Sequence, residues 1–128
     1  MTDDMDRFLT GKATYVADLA LPGMLHLKIV RSIYGRARLL RVEGGITGSE
    51  LKATLTSVGE GATEGKGVVP YPVLALDRVN YVGQPIAGVL GRSAVEAEDL
   101  AESVEVDAEP LKAIVDPEEA LGAEPIHP

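Results

Sequence analysis

The sequence predicts an α+β fold: a twisted sheet with one principal helix on one face and a strand-helix-strand unit in its second half. Three observations carry that expectation. Leu25, Leu27 and Ile29 alternate with His26 and Lys28, the period-2 pattern of a half-buried strand. From Ala94 onward, apolar residues recur at three- and four-residue steps, as on one side of a helix. Val104, Val106 and Ala108 then alternate with Glu105, Asp107 and Glu109, so the helical period gives way to a strand period.

In chain order, residues 1–7 are polar and acidic and read as a flexible lead-in. Pro22-Gly23 is a turn signal ahead of the strand over 25–31. A second β-rich stretch runs from Ala37 to Val42, and Ser32 to Arg36 is short enough for a hairpin-like connection between the two. A weaker third stretch spans Lys52 to Thr56. Gly59, Gly61, Gly65 and Gly67 fall in a segment without apolar period, which predicts a flexible loop over 59–67 dividing the chain into two halves. Pro70 and Pro72 impose an extended path, followed by a short strand at Arg78 to Val82.

Ile86 to Leu90 is an apolar run suited to a buried strand. Ser93 and Glu96 have the spacing of a capping box, in which each side chain satisfies a free backbone N–H, so the principal helix starts at Ala94 and runs to about Ser103. Ala94, Ala97, Leu100, Ala101 and Val104 form its apolar side, with Leu100 expected in the core, and Glu96, Glu98, Asp99 and Glu102 form its solvated side. Parallel pairing of the strands before and after this helix would require a right-handed crossover. Asp116-Pro117-Glu118-Glu119 opens a short final helix that Gly122 closes. The chain, 1–128, reads as one domain.

At 128 residues with 45% hydrophobic and 4% aromatic content, the core has to be built from Leu, Val, Ile and Ala. So few aromatic faces argue against a stacking platform for single-stranded nucleic acid. Twenty acidic against twelve basic residues give a formal charge of −8, a field that repels phosphate backbones and anionic membrane surfaces. Nucleic acid and membrane are therefore not expected partners. With no cysteine, the chain offers no disulfide, thiol nucleophile, thiolate zinc site or ligand for an iron–sulfur cluster. The acidic N-terminus lacks the basic-then-apolar order of a secretory signal and no apolar run reaches the length of a membrane span, so the expected location is cytoplasmic.

Motifs with chemical potential mostly fail on spacing. A P-loop ending at Gly65-Lys66 needs a glycine where Glu60 stands and a hydroxyl residue where Gly67 stands. A dinucleotide fingerprint starting at Gly59-x-Gly61 needs a glycine at Glu64. Ser49 and Lys52 match the Ser-x-x-Lys string of serine acyl enzymes, but Ser-Asp-Asn and Lys-Thr-Gly are both missing, which makes coincidence the better reading. His26 and His127 share no local ligand spacing, and His26 reads as a surface or interface residue. No carboxylate is marked out for acid–base work. No catalytic, cofactor-binding or metal-binding residue is assigned. Tyr81-Val82-Gly83-Gln84-Pro85-Ile86-Ala87 is different: Gly83 and Pro85 suit a structural turn, whereas Gln84 offers a donor and an acceptor where a strand begins. Gly83, Gln84 and Pro85 are the candidate interface residues, with a purely structural turn as the alternative.

Thr10-Gly11-Lys12-Ala13-Thr14-Tyr15-Val16-Ala17-Asp18-Leu19, Leu21-Pro22-Gly23-Met24-Leu25-His26 and Arg31-Ser32 resemble the start of the molybdenum-binding large subunit of the xanthine dehydrogenase, aldehyde oxidase and carbon monoxide dehydrogenase family. The segment from Asp77 to Ala87, then Ala97-Glu98-Asp99, Glu109-Pro110-Leu111 and Val115-Asp116-Pro117-Glu118-Glu119-Ala120-Leu121, resembles the α/β-hammerhead domain of that subunit. The resemblance runs from about residue 7 to the end of the chain. Leu51 to Pro72 departs from the family pattern, and Lys112 stands where a proline is often found.

What the resemblance implies is an α/β-hammerhead, either a split subunit or a piece of a longer chain, that is non-catalytic by itself. In the family, the molybdopterin contacts and the glutamate base belong to the polypeptide beyond the hammerhead. The implied partner is a molybdopterin-binding large-subunit chain, with iron–sulfur clusters and FAD on further subunits. Two rivals are a small enzyme acting alone and a stand-alone protein-interaction module without a redox role. The absence of an assembled acid–base or nucleophile set in the sequence weighs against the first rival.

Overall fold

The computed structural model describes residues 3–55 and 71–124. The glycine-rich segment 59–67 and His127 lie outside the described residues. The elements are α1 (Asp3–Leu9), a 3-10 turn (Val16–Asp18), β1 (His26–Arg31), β2 (Ala37–Glu43), β3 (Ile46–Thr47), α2 (Gly48–Leu51), β4 (Thr54–Leu55), β5 (Tyr71–Pro72), β6 (Arg78–Val79), β7 (Pro85–Gly91), α3 (Ala94–Glu102), β8 (Glu105–Pro110) and α4 (Pro117–Leu121). Helices and strands are mixed, as expected for α+β. The sheet is divided: β1-β7-β3 and β6-β2-β8 are separate three-stranded sheets, and β4-β5 is a two-stranded ribbon.

Every strand pair among the described residues is antiparallel. The chain from β1 to β2 does not make a hairpin, because the two strands belong to different sheets. Ser32 explains the crossing. Its N–H donates to Gln84 O at 2.9 Å and its carbonyl accepts from Gly83 N–H at 2.7 Å, so these groups hold the turn before β7 and cannot feed a ladder with β2. Likewise β7, α3 and β8 follow in order, but β7 and β8 lie in different sheets and form no parallel pair. The strand expected over 78–82 is cut to Arg78–Val79, since Tyr81 to Gln84 are used by the turn.

The core lies between the two sheets. Ala37, Val79, Ala75, Ile86 and Ala87 are buried together, with Val30, Leu39, Val42, Val104, Val106 and Ala108 packed around them. It is aliphatic and mostly small, as the composition requires. On β2 and β8, Arg38 pairs with Glu109 and Arg41 with Glu105, each at 3.2 Å, so cross-strand charges favour this register from the exposed side.

The helix α3 starts at Ala94 as expected, with half of its capping box: Ser93 Oγ accepts from Glu96 N–H at 3.1 Å, whereas Glu96 Oε2 accepts from Arg92 N–H at 2.6 Å, one residue before the cap. Its buried residue is Ala97, however, and Leu100 is 40% exposed rather than in the core. The reason is close approach. Gly91 of β7 has no side chain, α3 settles against its backbone at Ala97, and a residue as long as Leu100 is left at the margin. Lys28 of β1 reaches Glu98 on the same side, at 2.5 Å. α3 thus covers the side of β1-β7-β3 that carries Lys28 and Gly91, and Leu27 and Ile29, the apolar half of the β1 alternation, point the other way.

Within the acidic lead-in, Asp3–Leu9 form a helix. Its last turn is held by Thr10 N–H donating to Asp6 O at 3.0 Å, and by Lys12 and Ala13 N–H donating to Arg7 O at 2.8 and 3.0 Å. The final helix follows its expected cap, with Asp116 Oδ1 accepting from Glu118 N–H at 2.8 Å. Lys112, the departure from the family pattern, forms an ion pair with Glu119 of that helix. Among the described residues, no helix is long and apolar enough to cross a membrane.

Candidate functional site

The segment from Asn80 to Pro85 turns the chain from β6 into β7. Gly83 takes φ +87°, a left-handed conformation that glycine adopts without steric cost, and the turn closes through Gln84 N–H donating to Tyr81 O at 3.3 Å. Pro85 then opens β7 opposite Arg31, and its carbonyl accepts from Ala75 N–H at 2.8 Å. The three candidate residues are thus neighbours in one turn but differ in exposure.

Gln84 is buried at 4% exposure, and its Oε1 accepts from Asn80 N–H at 2.7 Å. A half-buried backbone donor is satisfied by this side chain, which makes Gln84 a brace within the domain. Arg31 Nη1 donates to Gly83 O at 2.9 Å, tying the turn to the end of β1. Ser32 Oγ both accepts from Tyr34 N–H and donates to Tyr34 O, each at 3.0 Å, and so fixes the corner beneath. Gly83 and Pro85 are half-buried, and the exposed surface of the turn comes from Tyr81 and Val82.

Tyr71 approaches from the ribbon. Its hydroxyl donates to the Tyr81 hydroxyl at 2.6 Å, and burial followed by this hydrogen bond pushes the Tyr71 pKa up to about 12. It is therefore a neutral donor near neutrality. Nothing in the sequence pattern places Tyr71 beside Tyr81, because the contact depends on the fold bringing β5 against this turn.

Elsewhere the polar residues hold local structure. Thr47 N–H and Thr47 Oγ1 both donate to Glu50 Oε2 at 2.8 Å, and these bonds lower the Glu50 pKa. This is the start of α2, a Thr-x-x-Glu cap that the sequence carries and that the Ser-x-x-Lys reading of the same segment obscured. Ser49 Oγ lies 2.9 Å from Thr47 Oγ1, and Lys52 sits at the left-handed end of the helix with φ 50°. His26 is half-buried on β1 opposite Gly91.

Among the described residues, no three His, Cys, Asp or Glu side chains come together as a metal site. A concavity of about 430 Å³ is lined by Arg41, Glu43, Thr47, Ser49 and Glu50 among others. Its one guanidinium is already paired with Glu43 and Glu105 at 3.2 Å, and the two carboxylates on its wall oppose a phosphate-bearing ligand.

The fold and the turn together define a small α+β domain whose buried polar groups brace backbone. The chain belongs to the family described as aldehyde oxidase and xanthine dehydrogenase, a/b hammerhead domain, whose pattern matches residues 10–112. It is similar to the 6-hydroxypseudooxynicotine dehydrogenase complex subunit gamma of Paenarthrobacter nicotinovorans, with 40% identity over 90% of this chain and 16% of that one. It is also similar to the carbon monoxide dehydrogenase large chain of Afipia carboxidovorans, with 34% identity over 90% and 15% of the two chains. Among solved structures it resembles quinoline 2-oxidoreductase from Pseudomonas putida 86, with a TM-score of 0.79, 30% identity, and 95% and 17% of the chains covered. The chain spans about one-sixth of the length of the curated relatives it matches.

Proposed function

We propose that this chain is the hammerhead part, as one domain over 1–128, of a molybdenum-cofactor-dependent dehydrogenase of the carbon monoxide, aldehyde or xanthine type. It is non-catalytic by itself and packs on a separate molybdopterin-binding polypeptide, with iron–sulfur and flavin centres on further chains of a cytoplasmic complex. The observation that carries this reading is one of proportion: nine-tenths of the chain matches only 16% of a dehydrogenase complex subunit. The polar groups of the domain support it, since they brace turns and helix ends and form no assembled acid–base set among the described residues. Within this reading, the Gly83-Gln84-Pro85 turn belongs to the contact, with Gln84 shaping it from inside and Tyr81, Val82 and Gly83 presenting the surface.

The test is co-expression with the neighbouring polypeptide that matches the remainder of the relatives. The expected result is a stable complex that contains molybdenum and oxidises one of the family's substrate types. Recovery of two independent chains would overturn the reading, as would redox turnover by this chain alone in metal-free buffer.

A further inference from the structure

Among the described residues, the side of β1-β7-β3 turned away from α3 is apolar and left open. Directly opposed residues of antiparallel strands share a face, so Leu27 lies beside Leu90, while Ile29, Gly88 and Ile46 make a row across three strands. Gly88 contributes no side chain to that row. A Cβ added there would lie 3.3 Å from Leu27 Cδ1 and 3.7 Å from Ile29 Cδ1, so both side chains fold over the buried glycine and form the outer apolar surface. Leu27, Leu90 and Ile46 keep 61%, 46% and 40% of their surface in solvent. A sheet in a freestanding domain normally hides such a row under a second layer.

The chain that leads into this face has the same character. Phe8, Leu9, Val16, Leu21 and Leu25 are all exposed. Backbone hydrogen bonds along it close on the segment itself, as Asp18 N–H does on Tyr15 O and Met24 N–H on Leu21 O. It is an arm rich in apolar side chains.

We infer that this sheet face, continued through Met24 and Leu25 into the arm, is the surface by which the chain docks on the large molybdopterin-binding polypeptide, and that α3 and β8 stay in water. The inference rests on the proposed function. Two observations select that occupant. In the curated relatives the matching region is 16% of a longer polypeptide, so most of the chain length stands outside it. Charge also divides the domain. Residues 3–31 hold four acids (Asp3, Asp4, Asp6 and Asp18) against four bases (Arg7, Lys12, Lys28 and Arg31), whereas residues 94–124 hold eleven acids against one base, Lys112. Desolvating that many carboxylates is costly, so the acidic side belongs in solvent and the apolar side, whose charges balance, against protein. A second copy is a poor occupant, since each chain carries a formal charge of −8 and two copies repel as they approach.

The test titrates the full-length chain against the neighbouring polypeptide. Leu27→Asp and Leu90→Asp are each expected to weaken binding about tenfold or more, and Asp99→Asn with Glu102→Gln to change it less than about twofold. Leu27→Ser and Leu90→Ser, with unfolding midpoints measured on each variant alone, separate loss of contact from loss of fold. Unchanged affinity in the leucine variants, or weakened affinity in the acid variants, would overturn the inference. So would a dimer of the chain alone that Leu27→Ser dissociates. Failure of the parent chain to bind would instead remove the proposed function, and this inference with it.

Discussion

Gly91 and Ala97 are in backbone contact: a Cβ on Gly91 would lie 2.5 Å from the amide nitrogen of Ala97 and 2.9 Å from its Cα. The principal helix therefore rests on the backbone of β7, and the smallest side chains in both elements set the layer spacing. Gly91→Ala is expected to destabilise the domain by about 1–3 kcal/mol through overpacking, because the atoms it meets are backbone and cannot rotate aside. Chemical denaturation of the variant checks this, and a midpoint equal to the parent's would show that α3 stands further from β7 than the structure has it.

Gln84 braces Asn80 from a buried position. Gln84→Ala leaves the half-buried Asn80 N–H without its acceptor, and the expected loss is about 1 kcal/mol, the usual net value of a hydrogen bond. Gln84→Glu keeps an oxygen in place and is expected to recover part of that loss only at acidic pH, where the buried carboxyl is protonated. Equal destabilisation by both variants at acidic pH would mean that the hydrogen bond contributes nothing and only the shape of the side chain matters.

Tyr71 gives a pH signature. Its hydroxyl titrates near 12 in the fold against an ordinary value of 10.0, with burial as the main cause and the Tyr81 hydrogen bond next. The native state then holds a proton that the unfolded chain releases first, so this contribution is complete below the ordinary value and is lost as pH rises through the folded value. Tyr71→Phe removes that dependence. The free energy of unfolding, followed for parent and variant from neutral pH upward, should show the gap between them closing in the alkaline window. Parallel curves would remove the assignment.

Much of the scaffold is legible in the sequence because its signals are local. Ser93 with Glu96 and Asp116 with Glu118 mark their helix starts by hydrogen bonds that span only a few residues, and both helices begin where those residues place them. The strands over 26–31, 37–43 and 85–91 follow from alternation or apolar runs in the same way. Which face is covered is another matter. Leu27 and Leu100 look like core residues by periodicity, yet both keep substantial exposure, because coverage is decided by where Gly91 lets Ala97 approach. Periodicity identifies an apolar side without saying what lies over it. The division into two sheets is hidden for a related reason: it depends on Ser32 bonding to Gln84, a contact between distant parts of the chain. Gly83, Gln84 and Pro85 can be singled out as a turn, but not the burial of Gln84 between its two neighbours.

Gly83 separates backbone strain from surface contact. A Cβ there would meet nothing within 4 Å, so the only cost of a side chain is the positive φ of +87°. Asparagine tolerates left-handed backbone better than other residues with a Cβ, and Gly83→Asn should lower stability by about 1 kcal/mol. Its carbonyl still accepts from Arg31, which preserves the link to β1. The new side chain projects into open space in the free chain, and in the proposed complex that space belongs to the partner polypeptide. A variant that unfolds close to the parent midpoint yet binds the partner markedly more weakly is the expected outcome. Undiminished binding would place Gly83 outside the contact and leave the turn with a structural role alone.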